Sequence, residues 1–86
     1  MSAPVIIAEL RKNARERVRV ALDQWQGHHL LDLRVTTQFT AGADVWAPTR
    51  KGLSLNVAMI PALRNALDAA EAQARALGLI ESDGAL

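Results

Sequence analysis

Cysteine and tyrosine are absent from this chain of 86 residues, and only Trp25, Phe39 and Trp46 are aromatic. Without thiols there is no disulfide and no thiolate zinc site, so the fold must be held by packing or by association. Three rings cannot fill a core. Leu, Val, Ile and Ala must do so, which turns the placement of the rings into a functional question. Long apolar runs are missing too. Val5-Ile6-Ile7-Ala8 is followed by Glu9, Arg11 and Lys12, which is too short for a signal-peptide core or a bilayer span. The expectation is a cytoplasmic protein, nucleoid-associated if it binds DNA, with no membrane partner.

The residues of catalysis are equally scarce. No Ser/His/Asp set, glycine-rich phosphate loop or pair of carboxylates in a plausible cleft appears, so the chain is not expected to be an enzyme or to carry a cofactor. His28-His29 is the one pair that suggests a metal. Adjacent strand residues point to opposite faces, so no metal site is expected.

What is present bounds the architecture. At this length there is one domain, and folding buries only somewhat more than roughly 60% of the unfolded chain's surface, so a partner chain is the expected source of further burial. The net charge of +1 is unevenly spread. Up to Gly52 there are eight Lys or Arg against five Asp or Glu, a balance of +3; from Leu53 onward there are two against four, a balance of −2. Such asymmetry bears on partners, although an ordinary solvated surface also produces it.

Residues 1–15 read as an N-terminal arm or short helix, because Ile6, Ile7 and Leu10 keep a helical spacing within Pro4–Ala14. From Arg17 to Trp25 the period becomes two, with Val18, Val20 and Leu22 on one face and Arg17, Arg19, Ala21, Asp23 and Trp25 on the other, as in a half-buried strand. Gly27 supplies a turn. A second strand spans His29 to Gln38, with Leu31, Leu33 and Val35 inward and Asp32, Arg34 and Thr36 outward. Thr40–Asp44 reads as a hairpin loop, Val45-Trp46 as a short third strand limited by Pro48, and Leu53–Leu55 as a short fourth.

Asn56 can cap a helix beginning near Val57, provided that Pro61 falls in its first turn. Ile60, Leu63, Leu67, Ala70, Ala74 and Leu77 then recur at spacings of three and four, a seam for the sheet or for a second helix, and Gly78 is a plausible stop. Residues 16–80 thus form the domain and 81–86 a flexible tail.

Several constellations carry two readings. Trp25 shares a face with Arg17 and Arg19, where an indole can stack on a base or simply cover a sheet edge. Phe39 and Trp46 flank one loop and could pinch a nucleic-acid strand or form a cross-strand pair. Arg50 and Lys51 beside Gly52 form a phosphate-accessible turn or an ordinary basic one. The cations from Arg11 to Arg19 are a phosphate track or a solubilising flank.

Three motifs in order carry a family resemblance: Val18-Arg19-Val20 leading to Trp25-Gln26-Gly27; Leu30-Leu31-Asp32-Leu33-Arg34; and Pro48-Thr49-Arg50-Lys51-Gly52-Leu53-Ser54-Leu55-Asn56 before the helix. From Arg17 to about Leu77 the chain resembles the DNA-binding domain of the transcriptional coactivator positive cofactor four and its bacterial relatives. The resemblance implies an α+β fold, a four-stranded curved antiparallel sheet followed by one long helix (ββββα), dimerising through the helices to form channels for single-stranded or melted DNA. By position, Trp25 stands at a base-stacking aromatic, Arg34 at a strand-two arginine near DNA, and Arg50 and Lys51 at the basic pair before the glycine. Gln26 and His28 replace lysines, which weakens phosphate attraction. The hairpin is longer, so the second stacking aromatic corresponds to Thr37 or to Phe39.

The resulting expectation is a homodimer that binds single-stranded DNA, or RNA, with little sequence preference and works in transcription, replication or repair, with the transcription machinery as a further partner. Arg17, Arg19, Trp25, His28, Arg34, Thr37, Phe39, Trp46, Arg50 and Lys51 form the expected nucleic-acid site; Ile60, Leu63, Leu67, Ala70, Ala74 and Leu77 form the expected dimer interface. The alternative is a protein-interaction scaffold dimer whose cations serve solubility.

Overall fold

The computed structural model describes residues 3–38, 42 and 45–80. Phe39, most of the expected hairpin loop and the tail 81–86 lie outside the described residues. The fold is α+β: β1 (Val5–Arg11), β2 (Glu16–Trp25), β3 (His28–Thr37) and β4 (Ala47–Asn56) form one antiparallel sheet in the order β1-β2-β3-β4, followed by a 3-10 turn (Val57–Met59) and helix α1 (Ile60–Ala76).

The two central strands follow the alternation of their residues. Arg17 pairs with Thr36, Arg19 with Arg34, Ala21 with Asp32 and Trp25 with His28, so these side chains share a polar face. Val18, Val20 and Leu22 meet Val35, Leu33 and Leu31 on the other, apolar face.

The edges correct the expectations. Residues 5–11 are a strand, not an arm or a helix. A register shift between Ile6 and Ala8 inserts one residue, so Ile7 reaches the apolar face beside Val20 and Leu22 while Leu10 still pairs with Val18. That bulge breaks the two-residue period and imitates helical spacing. The short strands expected at Val45-Trp46 and Leu53–Leu55 give way to a single strand, Ala47–Asn56, which Val45 and Trp46 precede. Pro48 is accommodated because β4 is an edge strand, and a second register shift between Arg34 and Thr36 absorbs residues 49–51.

At the helix start, Asn56 Oδ1 accepts from the Ala58 backbone N–H at 2.9 Å, satisfying a donor that the first turn leaves unpaired. The regular helix begins at Ile60, not near Val57, which places Pro61 in the first turn, where its missing N–H costs nothing. Gly78, at φ 75°, closes α1: its N–H donates to Arg75 O and that of Leu79 to Ala74 O, a Schellman stop.

Beyond Met59 the helix makes at most sparse contact with the strands. Between them lies an open apolar cleft of about 430 Å³, lined by Ile7, Val20, Leu22, Leu31 and Leu33 from the sheet and Ile60, Leu63, Arg64 and Leu67 from the helix. Ala21 and Leu31 are the buried hydrophobic residues among those described, while Leu67 stays 60% exposed.

Candidate nucleic-acid interface

One end of the polar face is set by the β2–β3 turn. Gln26 and Gly27 both adopt positive φ, 49° and 81°, as a type I′ hairpin turn requires, although Gln26 must bear the left-handed conformation with a side chain. This tight turn presents Trp25 beside His28 at the hairpin tip, and the indole is 63% exposed. It stands on the face opposite the cleft that the helix lines, open to a flat ligand. His29 pairs with Gln24, so the two histidines diverge. Among the described residues no three His, Cys, Asp or Glu side chains gather as metal ligands.

The middle of the face is a buried ion network. Asp32 Oδ1 accepts from Arg34 Nη2 and from Ser54 Oγ, each at 2.8 Å, and Arg19 Nη2 stands 3.8 Å from Asp32 Oδ2. Burial pushes the Asp32 carboxyl up, but the hydrogen bonds from Arg34 and Ser54, with the charges of Arg34 and Arg19, outweigh it and hold the group below its ordinary range. Arg34 Nη1 also donates to the carbonyl of Arg50 at 3.2 Å and, more weakly, to that of Thr49 at 3.5 Å. Arg34 is therefore a strut between β3 and the bulge of β4. Arg19 Nε is buried without a hydrogen-bond partner.

Gly52 makes this strut possible. At φ 149° it occupies backbone space open essentially to glycine. A Cβ there would collide with the Leu33 carbonyl oxygen and lie 2.9 Å from Arg34 Cα and 3.1 Å from Arg34 Cζ. Thr49 locks the same bulge, its hydroxyl donating to Val35 O at 2.7 Å and accepting from the Lys51 N–H at 3.1 Å. Arg50 and Lys51 thus lie in a bulged strand, not at a turn. Arg50 is exposed with no ion-pair partner among the described residues. Lys51 Nζ stands 3.8 Å from Glu16 Oε2 but is 73% exposed.

At the opposite end from Trp25, Arg17 stacks over Trp46, its guanidinium carbon 4.0 Å from the ring centroid, and its Nη1 stands 3.8 Å from Glu9 Oε2. Glu16 is claimed by Lys12 and Asn13, whose hydrogen bonds pull its carboxyl down to about 2. Thr37 pairs with Glu16, on the face opposite Arg17, and its hydroxyl donates to Arg15 O at 3.3 Å. Arg15 in turn donates to Gln38 O from Nε and Nη2, fastening the ends of β2 and β3.

The polar face therefore gathers Trp25, His28, Arg19, Arg34 and Arg17 with Trp46. Arg50 and Lys51 sit at the β4 edge, and Thr37 belongs to the other side. Sequence reading missed the buried carboxylate at the centre. Its signal was present, since Asp32 and Arg34 are opposite charges two residues apart on one strand face, with Ser54 as the cross-strand neighbour of Asp32.

Residues 12–66 match the family profile described as Transcriptional Coactivator p15 (PC4). The chain belongs to that family. It is also similar to the crystal structure of a PC4 homolog from Burkholderia pseudomallei, in a tetragonal form with 25% identity and a TM-score of 0.70, covering 80% of this chain and 98% of that one. The orthorhombic form gives 24% identity and a TM-score of 0.71, covering 83% and 93%. No curated protein matches. Strand β1 lies before the PC4 profile match, and its register sets Glu9 opposite Arg19 and Arg11 opposite Arg17 on the polar face. Among the described residues, no helix is long and apolar enough to cross a membrane.

Proposed function

We propose that this PC4-family chain is a homodimeric, sequence-tolerant binder of single-stranded DNA that regulates transcription or serves replication and repair by holding melted strands. The observation that carries the reading is Trp25, exposed on the same sheet face as the arginines and opposite the helix-lined cleft. A base can stack on such a ring whatever its identity, because every base has a π-face. Arg17, Arg50 and Lys51 supply phosphate contacts at the margins of the face, and His28 flanks the stacking ring. The Asp32 network gives the floor its shape more than its charge. A cytoplasmic, nucleoid-associated setting follows from the ligand.

Dimerisation is supported by the unpartnered apolar surface. Helix α1 contains no buried residue, and the cleft between it and the apolar face of the sheet stays open in a single chain. A second copy laying its Ile60, Leu63, Leu67, Ala70, Ala74 and Leu77 seam across these surfaces supplies the core that one copy lacks.

The test is fluorescence anisotropy of a labelled single strand, its duplex and the matching RNA at two salt concentrations, with sedimentation of the free protein. Tight single-strand binding that weakens with salt, weaker duplex binding and a dimeric mass are expected. No binding to any of the three leaves a protein-interaction scaffold in its place.

A further inference from the structure

Beside Trp46, at the far end of the polar face from Trp25, lies a second concavity of about 320 Å³ lined by Arg11, Asn13, Ala14, Arg17 and Trp46. Arg11 and Arg17 are direct cross-strand partners. Like charges placed opposite one another oppose strand pairing, and an anion between them removes the penalty. The counter-charge beside Arg17 is Glu9, at 3.8 Å; Arg11 is exposed and has no ion-pair partner among the described residues.

Stacking prepares Arg17 for such an anion. A guanidinium lying over an indole is held by its face, while its N–H donors point outward in the plane and stay available to phosphate oxygens. The Trp46–Arg17 stack also provides a flat surface against which a base can lie. Phosphate donors and a base platform in one pocket fit a single nucleotide unit.

Resting on the single-strand reading above, we propose that this pocket is a separate nucleotide subsite, so that one protomer grips a strand at two stations, Trp25 and Trp46–Arg17–Arg11. Arg17 and Trp25 are eight positions apart along β2, about 27 Å at ~3.4 Å per residue. A strand meets both stations once it spans that gap, on the order of eight nucleotides at the ~3.4 Å spacing of stacked bases and fewer if extended. The second contact is then intramolecular and raises affinity steeply with length.

The experiment measures the affinity of the full chain for oligothymidylates from about 4 to about 16 nucleotides, with free thymidine monophosphate as a separate arm. Wild-type affinity is expected to step up between about four and about eight nucleotides. In Trp46→Ala and in Arg11→Ala the ratio of long- to short-strand affinity falls by about tenfold, while Trp46→Phe, which keeps a stacking ring, restores it. Thermal melting identifies a variant that fails to fold, and Arg11→Ala, altering an exposed side chain, then decides. A parallel loss at all lengths, or no loss, overturns the two-station proposal. Binding of the mononucleotide as tightly as the longest strand reassigns the pocket to a free nucleotide and also overturns it. Absence of wild-type binding at every length removes the single-strand reading itself.

Discussion

Replacing Gly52 with alanine is the sharpest perturbation of the sheet that shapes the face. Two costs add. The backbone at φ 149° becomes strained for any residue with a Cβ, about 1–3 kcal/mol. The added carbon also collides with the Leu33 carbonyl oxygen and crowds Arg34, so the backbone of β3 and the Arg34 guanidinium must shift, which strains the pairing with Asp32. Breaking a buried ion pair costs about 3–5 kcal/mol at full burial and less here, where both partners keep some exposure. A total of about 3 kcal/mol or more is expected, against about 5 kcal/mol for a domain at the low end of stability. Gly27→Ala is the control, because its φ is also positive but nothing lies within 4 Å of the added carbon; it should cost only about 1–2 kcal/mol. Urea denaturation at fixed protein concentration, which a dimer requires, measures both. Equal losses at Gly52 and Gly27 would refute the argument that Gly52 exists to admit Arg34.

Three further outcomes follow from the same geometry. Asp32 is depressed below its ordinary value of 3.8, so its contribution is complete above that pH and disappears as pH falls through the lower folded value; thermal melting from neutral to strongly acid pH should show this loss, flattened in Asp32→Asn. Trp25→Ala should lower single-strand affinity by about tenfold or more, at about 1–3 kcal/mol per stacked base, with an unchanged melting curve, and a collapsed fold would mean that the ring is core. Arg50→Ala should reduce the slope of log affinity against log salt by about 0.7 for each phosphate that the side chain no longer neutralises, whereas Arg34→Ala should chiefly lower stability in urea.

The central hairpin was legible because Arg17–Trp25 and Leu30–Thr37 alternate without interruption, and alternation determines which side chains share a face. It does not determine depth. Asp32, Arg34 and Thr36 alternate to the outward, polar face, yet Asp32 and Thr36 are buried, Thr36 to 1% exposure, and Arg34, Arg19 and Ser54 close around the Asp32 carboxylate. The edge strands were illegible for a different reason: each carries a bulge, at Ile6–Ala8 and opposite Arg34–Thr36, and one irregular residue erases the period on which pattern reading depends. Pro48 and Gly52, usual signs of interruption, here lie within a strand whose outer edge has no neighbour to pair. The helix was legible, since Asn56, Pro61 and Gly78 mark its ends by local chemistry alone.

The functional reading stands or falls with Trp25 as a base-stacking platform on a single-strand-binding face. In the Trp46→Phe variant Trp25 is the sole indole, so its fluorescence reports on that ring alone. Saturable quenching by an oligothymidylate, weaker with the duplex and relieved by salt, is the expected result; emission unaltered by any single strand, in a protein that remains folded, would contradict it.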